Sequence, residues 1–474
     1  MAPSSRVACA DGCRARRCAV EYGSVRAEAR RWWWRALTRV VGAVGGGCPR
    51  GVVGATLIVA RGFARKLSPQ TKNKMKNFGN FFAGRDKANY STTDSFKLLF
   101  KAWKIIATIS DKQTGLSLIY HVLLFRLCVL ISPVAFMVGT LEGLSYLPFM
   151  EVLSNLQASF NTVTLPIKAF VIAINAERLR SVDEIFMRLD QRYQLPGEYA
   201  KIRDCVVTCR RFFSIYYVMY WMYAILTYIL ALLSNKLPLN LWLPFLDLIP
   251  YTNLRYILSF LFQIFYTMIL TQNQVNNDSY SAIYMRAIRT HINLLSDRVL
   301  RLGTNPESSE EETRKELLDI VISHKELLDV AQRVRAIVSL TMFAQFTVAA
   351  IILCICMLNI LVFANSGYQL VTVTYYLCVM MQTVPTCYQA SMLEADCEKL
   401  PIAIFHCNWL ALDKHTRKLI PYFMQRAQEG ITFTAFKLFK IDLTTNLSIA
   451  KFSFTLYTCF TTLGIGDKIK QRFQ

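Results

Sequence analysis

The sequence predicts an all-α membrane protein with seven transmembrane helices. Of its 474 residues, 53% are hydrophobic and 12% are aromatic, yet Lys and Arg number 54, so apolar and charged residues must be segregated along the chain. Apolar runs of about 20 residues recur, and each is long enough to cross a hydrocarbon core of roughly 30 Å as a helix. Because seven is odd, the two termini are expected on opposite sides of the membrane.

Residues 1–74 differ from the rest and are excluded from the predicted fold. They carry 15 Lys and Arg against 3 acidic residues and show no helical period. Their longest apolar run, 51–60, is too short to span a bilayer, and no signal-peptide order is present. Two interpretations remain open: a basic targeting or membrane-surface tail, and an upstream extension of the coding sequence with Met75 as the start. We expect the second.

Seven apolar segments are assigned as spans. The second contains ionisable Glu151 and Lys168, which are flags of function because charged groups are costly in hydrocarbon and normally face a cavity or a partner. Glu151 could instead snorkel to the membrane surface. Pro166 is expected to break this helix. The predicted spans are 117–139, 147–174, 212–233, 256–275, 337–364, 370–393 and 443–463.

Charge bias predicts that the N-terminus is cytoplasmic and the C-terminus extracellular. From Met75 onward, the segments on the N-terminal side of the membrane hold 31 Lys and Arg against 5 on the other side. Positively charged flanks resist translocation, so the richer side is assigned to the cytoplasm. The tail is discordant, because Lys468, Lys470 and Arg472 would lie outside.

The long cytoplasmic segments carry amphipathic periodicity and are expected to be helical. Residues 281–302 and 311–335 are predicted to extend the fourth and fifth spans, with a turn at 303–309 between them. Glu310, Glu311 and Glu312 suit the start of the second helix, where the dipole favours negative charge. The predicted divisions of the chain are 1–74, 75–116, 117–276, 277–336, 337–393, 394–442, 443–465 and 466–474.

Several classes of function are excluded. Five His residues occur, without metal spacing, a nucleophile elbow or a phosphate-binding glycine loop, so no enzyme, metal or cofactor is expected. The 14 Cys residues lack a CxxC pair, and those in apolar runs are expected to pack as small hydrophobes. The net charge of +22 is not gathered into a nucleic-acid-binding patch. The Asp297-Arg298-Val299 triplet lies past the fourth span, not after the third, and this position and the charge bias argue against a G-protein-coupled receptor.

The C-terminal end carries the positive signal. Four ordered blocks resemble the C-terminal motifs of insect odorant receptors, over about 397–460, and the span pattern is similar from about Met75 onward. Thr458-Cys459-Phe460 does not match the pattern of the gustatory sister group. The blocks are 406–409, 424–428, 431–439 and 447–457.

This resemblance implies a ligand-gated, non-selective cation channel that assembles as a tetramer around one central pore. It implies that the seventh helix lines the pore, at Cys459, Thr462 and Leu463 in this chain. A constriction of apolar residues there would close by dewetting. Cys and Thr stand where the shared co-receptor would be expected to carry larger apolar and amide residues, which favours a tuning subunit. Packing of Cys459 and Leu463 against lipid or helices is the alternative.

The resemblance also implies a pocket for small volatile organic ligands in the outer half of the bundle. Such a pocket should be aromatic with few polar groups, although aromatic stripes in membrane helices also serve packing. The expected odorant-binding residues are Leu153, Gln157, Phe160, Tyr223, Tyr228, Tyr256, Phe260, Tyr375 and Tyr376.

The expected partners are an odorant co-receptor subunit, in a heterotetramer, and membrane lipid, and the expected location is the plasma membrane of sensory neuron dendrites. A gustatory-type receptor channel, or a secondary transporter without a central pore, is the alternative; no internal repeat typical of transporters is visible. Three glycosylation sequons, at Asn89, Asn277 and Asn446, are expected to be unmodified because of their positions.

Overall fold

The structure, a computed structural model, describes residues 90–109, 119, 129–243, 250–305, 307–360 and 366–462. The chain divides into two compact units, 1–78 and 79–474, and every described residue belongs to the second. Residues 1–74 and Leu463 lie outside the described part.

Helices dominate the described residues, as predicted. Five of them are long and apolar enough to cross a membrane, and they coincide with the second to sixth predicted spans. About half of the first predicted span, including 120–128, falls outside the described residues, and its C-terminal end begins a further helix. In chain order these helices are α1 (Asp94–Ile105), α2 (Ser132–Gly143), α3 (Phe149–Ile174), α4 (Ala176–Gln191), α5 (Pro196–Leu233), α6 (Thr252–Arg301), α7 (Glu310–Leu358) and α8 (Ser366–His406).

Helix α3 corrects one expectation from the sequence, since it continues through Pro166. Proline lacks a backbone N–H, so the helix loses one hydrogen bond there but is held by its neighbours. The helix packs against α2 on one side and α7 on the other. Helix α8 likewise contains Pro385 and Pro401 and extends 13 residues past the predicted end of the sixth span, to His406.

Helices α6 and α7 confirm that the fourth and fifth spans continue as helix beyond the apolar segments. They are 50 and 49 residues long. The turn between them depends on Gly303, which has φ of +70°. Ser309 then caps α7: its hydroxyl accepts a hydrogen bond from Glu312 N at 3.2 Å, and its own N donates to the Glu312 carboxylate at 3.0 Å. This reciprocal pair satisfies two backbone donors that the first turn leaves free.

The largest hydrophobic cluster is centred on the part of α6 that follows the fourth predicted span. Phe96 of α1 stacks on Tyr284 of α6 with ring centroids 4.3 Å apart, and Phe186 of α4 lies beside them. Trp103 is fully buried, and its Nε1 donates to Asn277 Oδ1 at 3.2 Å. Burial of each such side chain contributes roughly 1.5–3 kcal/mol, so this region anchors the bundle.

The segment after α8 contains short elements that lead to the last helix. A 3₁₀ turn (Trp409–Ala411) precedes α9 (Lys414–Arg417) and α10 (Leu419–Gln428). A small hairpin follows, with β1 (Thr434–Ala435) antiparallel to β2 (Phe439–Lys440), and this hairpin was not foreseen in the all-α prediction. Positive φ values at Phe436 and Lys437 form its turn. Helix α11 (Leu443–Thr462) comes next and packs against α7 and α8.

Buried cysteines confirm the expectation that thiols in the apolar runs pack as small hydrophobes. Cys354, Cys356, Cys378 and Cys387 are all buried and free, while Cys128 lies outside the described residues. Cys459 is exposed.

Candidate ligand pocket and pore face

Five of the predicted odorant-binding residues meet where α3, α5, α7 and α8 converge. The Tyr223 and Tyr375 rings lie with centroids 5.0 Å apart, and Phe160, Tyr223 and Tyr376 pack on a cluster of buried side chains from α7 and α8. The Tyr375 hydroxyl donates to the backbone carbonyl oxygen of Gln157 at 3.1 Å. These contacts lie towards the end of the bundle opposite the extensions of α6 and α7. The result is an aromatic site with tyrosine hydroxyls inside it.

The other aromatic candidates form a second group, between α5 and α6. Tyr228 meets Phe260 edge to face at 5.8 Å, and Tyr256 stacks on Phe260 at 6.1 Å. The Tyr228 hydroxyl donates to Thr267 Oγ1 at 2.8 Å. Leu153 is buried on α3, one helical turn from Gln157. The predicted odorant-binding residues therefore do not all contact one another. Their ring contacts divide them into two groups.

Polar groups beside the first aromatic group include donors and acceptors without partners. Gln157 is only 3% exposed, and its Nε2 has no hydrogen-bond partner among the described residues. The Asn359 side chain reaches Ser154 Oγ at 3.1 Å through Nδ2, but its Oδ1 is also unsatisfied there. A buried donor without a partner is costly, so such a group is available to a ligand or a water molecule. Asn359 was not selected from the sequence, because its contact with α3 depends on packing.

The two ionisable residues of α3 have different environments. Glu151 pairs with Lys236 Nζ at 2.6 Å near the end of the helix, where the lysine is 52% exposed. Lys168 is 2% exposed and pairs with Asp278 Oδ1 at 2.5 Å. Glu151 therefore belongs to a solvated rim, and Lys168 to the interior of the bundle.

One face of α11 is packed and the opposite face is open. Asn446 and Ser453 are buried against α7 and α8, whereas Cys459 and Thr462 are exposed. Among the exposed residues, Cys459 and the polar ones recur at intervals of three and four, which places them along one stripe of this face. Leu443, Leu447, Phe452 and Phe454 are exposed beside the stripe. This stripe, called the pore-face stripe after the predicted role of α11, consists of Thr444, Ser448, Lys451, Thr455, Cys459 and Thr462.

The pore-face stripe is polar although it faces outward from the chain. Its hydroxyls bond back to the preceding turn: Ser448 Oγ donates to Thr444 O at 2.9 Å, and Thr455 Oγ1 donates to Lys451 O at 3.0 Å. Such back-bonding occupies the hydroxyl proton but leaves oxygen lone pairs for water. Sequence reasoning selected only the far end of this stripe, and a search for polar residues at spacings of three and four would have found the rest.

Comparison with known proteins identifies the family. A family model described as 7tm Odorant receptor matches residues 148–454. Odorant receptor 43b of Drosophila melanogaster is 34% identical over 356 residues, which cover 74% of this chain and 88% of that protein. Odorant receptor 42a of the same species is 30% identical over 338 residues, which cover 71% of this chain and 83% of that protein.

Solved structures share the fold. The insect olfactory receptor OR5 from Machilis hrabei superposes with a TM-score of 0.65 at 15% sequence identity, over 77% of this chain and 99% of that one. The same receptor in complex with eugenol gives a TM-score of 0.66 at 14% identity, over 78% and 99%. The matched relatives are receptors and not enzymes. They are odorant receptors, which favours that family over the gustatory alternative. This multi-pass helical membrane protein therefore belongs to the insect 7tm odorant receptor family.

Proposed function

We propose that the chain is the odorant-binding, tuning subunit of a ligand-gated non-selective cation channel. It assembles with a co-receptor subunit as a heterotetramer in the plasma membrane of sensory neuron dendrites. Odorant binding in the outer half of the bundle opens a pore that is lined by α11.

The pore-face stripe of α11 is the observation that carries the channel proposal. Lys451 and the hydroxyl residues are exposed on the face that α7 and α8 leave uncovered. A lysine exposed to hydrocarbon in the middle of a span costs at least about 2.5–3.5 kcal/mol, so the pore-face stripe suits water better than lipid. Four subunits that turn this face inward enclose an aqueous path. The same polarity explains why α11 is not among the five most apolar helices.

The first aromatic group supports the proposed ligand class. Apolar rings supply most of the contact area, and the free Gln157 Nε2 supplies one hydrogen-bond donor. This combination favours a small apolar odorant with a single acceptor, such as an ester, a ketone or a phenol ether.

The pore is tested by Cys459→Trp in the full chain, expressed with a co-receptor subunit. The large indole on the pore-face stripe is expected to reduce odorant-evoked current by about tenfold or more, without loss of surface protein. Phe454→Trp is the matched control, because Phe454 is exposed on the same helix but outside the pore-face stripe. Current that is unaffected by Cys459→Trp would contradict the pore assignment and favour a transporter without a pore.

The pocket is tested by Gln157→Leu with a pair of odorants of similar shape. Loss of the donor is expected to raise the half-maximal concentration of a ketone by up to about tenfold, the value of one neutral hydrogen bond. The half-maximal concentration of the corresponding hydrocarbon should be the same for the wild-type and variant proteins. An equal shift for the two odorants would place Gln157 outside the ligand contacts.

Failure of the wild-type subunit to respond to any odorant of a broad panel, despite surface delivery, would contradict the receptor function itself.

A further inference from the structure

A buried ion pair lies at the centre of the bundle, away from the aromatic site. Lys168 of α3 and Asp278 of α6 are 2% and 1% exposed, with Nζ and Oδ1 2.5 Å apart. The second carboxylate oxygen of Asp278 accepts hydrogen bonds from Tyr220 Oη and Gln274 Nε2, both at 2.8 Å. Burial of two charges is seldom the most stable arrangement, since apolar side chains of similar volume commonly do as well or better. Stability alone therefore does not account for this ion pair.

A chain of amides runs from this ion pair back to the helix that carries the ligand candidates. Lys168 Nζ donates to Gln345 Oε1 of α7, and Gln345 Nε2 donates to Gln382 Oε1 of α8. Gln382 Nε2 then donates to Asn161 Oδ1 of α3 at 3.3 Å. Asn161 lies one helical turn from Gln157, so the chain ends beneath the proposed odorant site.

The same amide chain adjoins the contact that holds the last helix. Thr383, next to Gln382, accepts a hydrogen bond from Asn446 Nδ2 of α11 at 2.5 Å. Asn446 is 6% exposed and lies on the packed face of α11, opposite the pore-face stripe. This hydrogen bond joins α8, at the residue next to Gln382, to α11.

Two features give this region room to rearrange. Pro166 lies two residues before Lys168, and Pro385 lies three residues after Gln382, so each helix lacks a backbone hydrogen bond beside the network. A cavity of about 10 Å³, lined by Lys168, Asp278, Gln345 and Gln382 among others, has space for about one water molecule. A water molecule bound there would offer the amides a second set of partners.

We propose that Lys168, Gln345 and Gln382 form a polar relay that couples the odorant site on α3 to the position of α11. The relay rests on the proposed channel function and adds its coupling mechanism. The ion pair with Asp278 holds the lysine in place, and the glutamines exchange partners as α3 and α8 move. Lys168, Gln345 and Gln382 act as positioning residues, since none of them belongs to the aromatic site or to the pore-face stripe.

The relay is tested by the reactivity of Cys459, which needs no odorant. Full chain and co-receptor are expressed in cells, and the rate at which a membrane-impermeant methanethiosulfonate modifies Cys459 is followed, with Cys459→Ser as the blank. Gln382→Leu is expected to change this rate by about fivefold, because α11 shifts when its link to α3 is lost. The matched control is Thr140→Val, which removes a buried 2.7 Å hydrogen bond to Ser159 between α2 and α3.

A double-variant comparison separates the relay from general loosening of the bundle. If the link runs through Thr383 and Asn446, Gln382→Leu combined with Asn446→Leu should change the modification rate no more than the larger single effect. Independent effects would multiply instead. Asn446→Leu also tests the link from the α11 side if Gln382→Leu does not reach the surface.

The outcomes distinguish the relay from the channel proposal. A modification rate for Gln382→Leu equal to that of Thr140→Val, or multiplicative effects in the double variant, overturns the relay. A changed rate together with a shifted half-maximal odorant concentration supports it. If the rate changes while no odorant evokes current in the wild-type channel, the structural link from Gln382 to α11 stands and the proposed odorant function fails.

Discussion

At the scale of single residues, buried polar groups fix how separate segments of the chain join the bundle. Asp190, at the end of α4, accepts hydrogen bonds from Ser91 Oγ at 2.9 Å and from Thr92 N at 2.7 Å. Thr92 Oγ1 also lies 3.0 Å from His291 Nε2 of α6. One carboxylate thereby fixes the segment before α1 onto the centre of the bundle, where charge-assisted hydrogen bonds are roughly twice as strong as neutral ones.

His291 predicts a loss of stability in mild acid. Burial lowers the pKa of His291 to about 4, against about 6.5 in the unfolded chain. Since the folded protein resists protonation, its contribution to the free energy of unfolding is complete above about pH 6.5 and is lost as the pH falls towards 4. His291→Gln should therefore lower the difference in melting temperature between pH 7 and pH 5, measured in detergent.

His324 is a second histidine whose pKa burial lowers to about 4. It is present in the wild-type protein and in the His291→Gln variant. The variant should therefore keep part of the acid sensitivity. An unchanged pH dependence after His291→Gln would show that this histidine does not titrate between the folded and unfolded states.

At the scale of elements, the turn between α6 and α7 links local sequence to a distant motif. Asn408 Nδ2 donates to the Gly303 carbonyl at 2.7 Å, so the first of the C-terminal family blocks docks on this turn. A Cβ on Gly303 would lie 2.9 Å from the Asn408 carbonyl oxygen. Glycine is therefore required twice, for its positive φ and for the close approach of Asn408.

Gly303→Ala is expected to destabilise the protein by about 1–3 kcal/mol, because it combines a strained φ with a close contact. The measurement is the melting temperature of the purified protein. Gly197→Ala in the first turn of α5 is the matched control, since a Cβ there meets no atom within 4 Å. Equal effects of the two substitutions would contradict the role of Gly303 in holding Asn408.

At the scale of the whole molecule, the structure changes which experiment tests orientation. Glycosylation of Asn277 is uninformative, because Asn277 is 2% exposed and its side chain bonds Asn273 Oδ1 at 2.6 Å and Trp103. The folded protein therefore does not expose this sequon on either side of the membrane. Exposed residues in the turns are suitable probes instead.

Orientation is tested by labelling single added cysteines, in a chain that also carries Cys459→Ser, on intact cells. The charge bias predicts that an impermeant maleimide labels Leu237→Cys, in the segment after α5, and leaves Glu307→Cys, in the turn before α7, unlabelled until the cells are permeabilised. Both positions are exposed. Labelling of Glu307→Cys alone on intact cells would invert the topology.

The sequence by itself determined the features that depend on local patterns. Apolar length predicted the second to sixth spans, and amphipathic period predicted their extension into α6 and α7. The acidic run at 310–312 marked the start of α7, since capping involves residues that are near neighbours in the chain. The C-terminal blocks indicated the family, which the comparisons confirmed.

Only the tertiary structure decided which distant side chains share an environment. Lys168 was recognised as costly in a span, but its partner Asp278 is 110 residues away and lies past the predicted end of the fourth span. The division of the aromatic candidates into two groups, and the packed and open faces of α11, likewise depend on how helices meet. The physical reason is that hydropathy and period fix which face of a helix is apolar, whereas the pairing of buried polar groups depends on rotation and depth, which only packing sets.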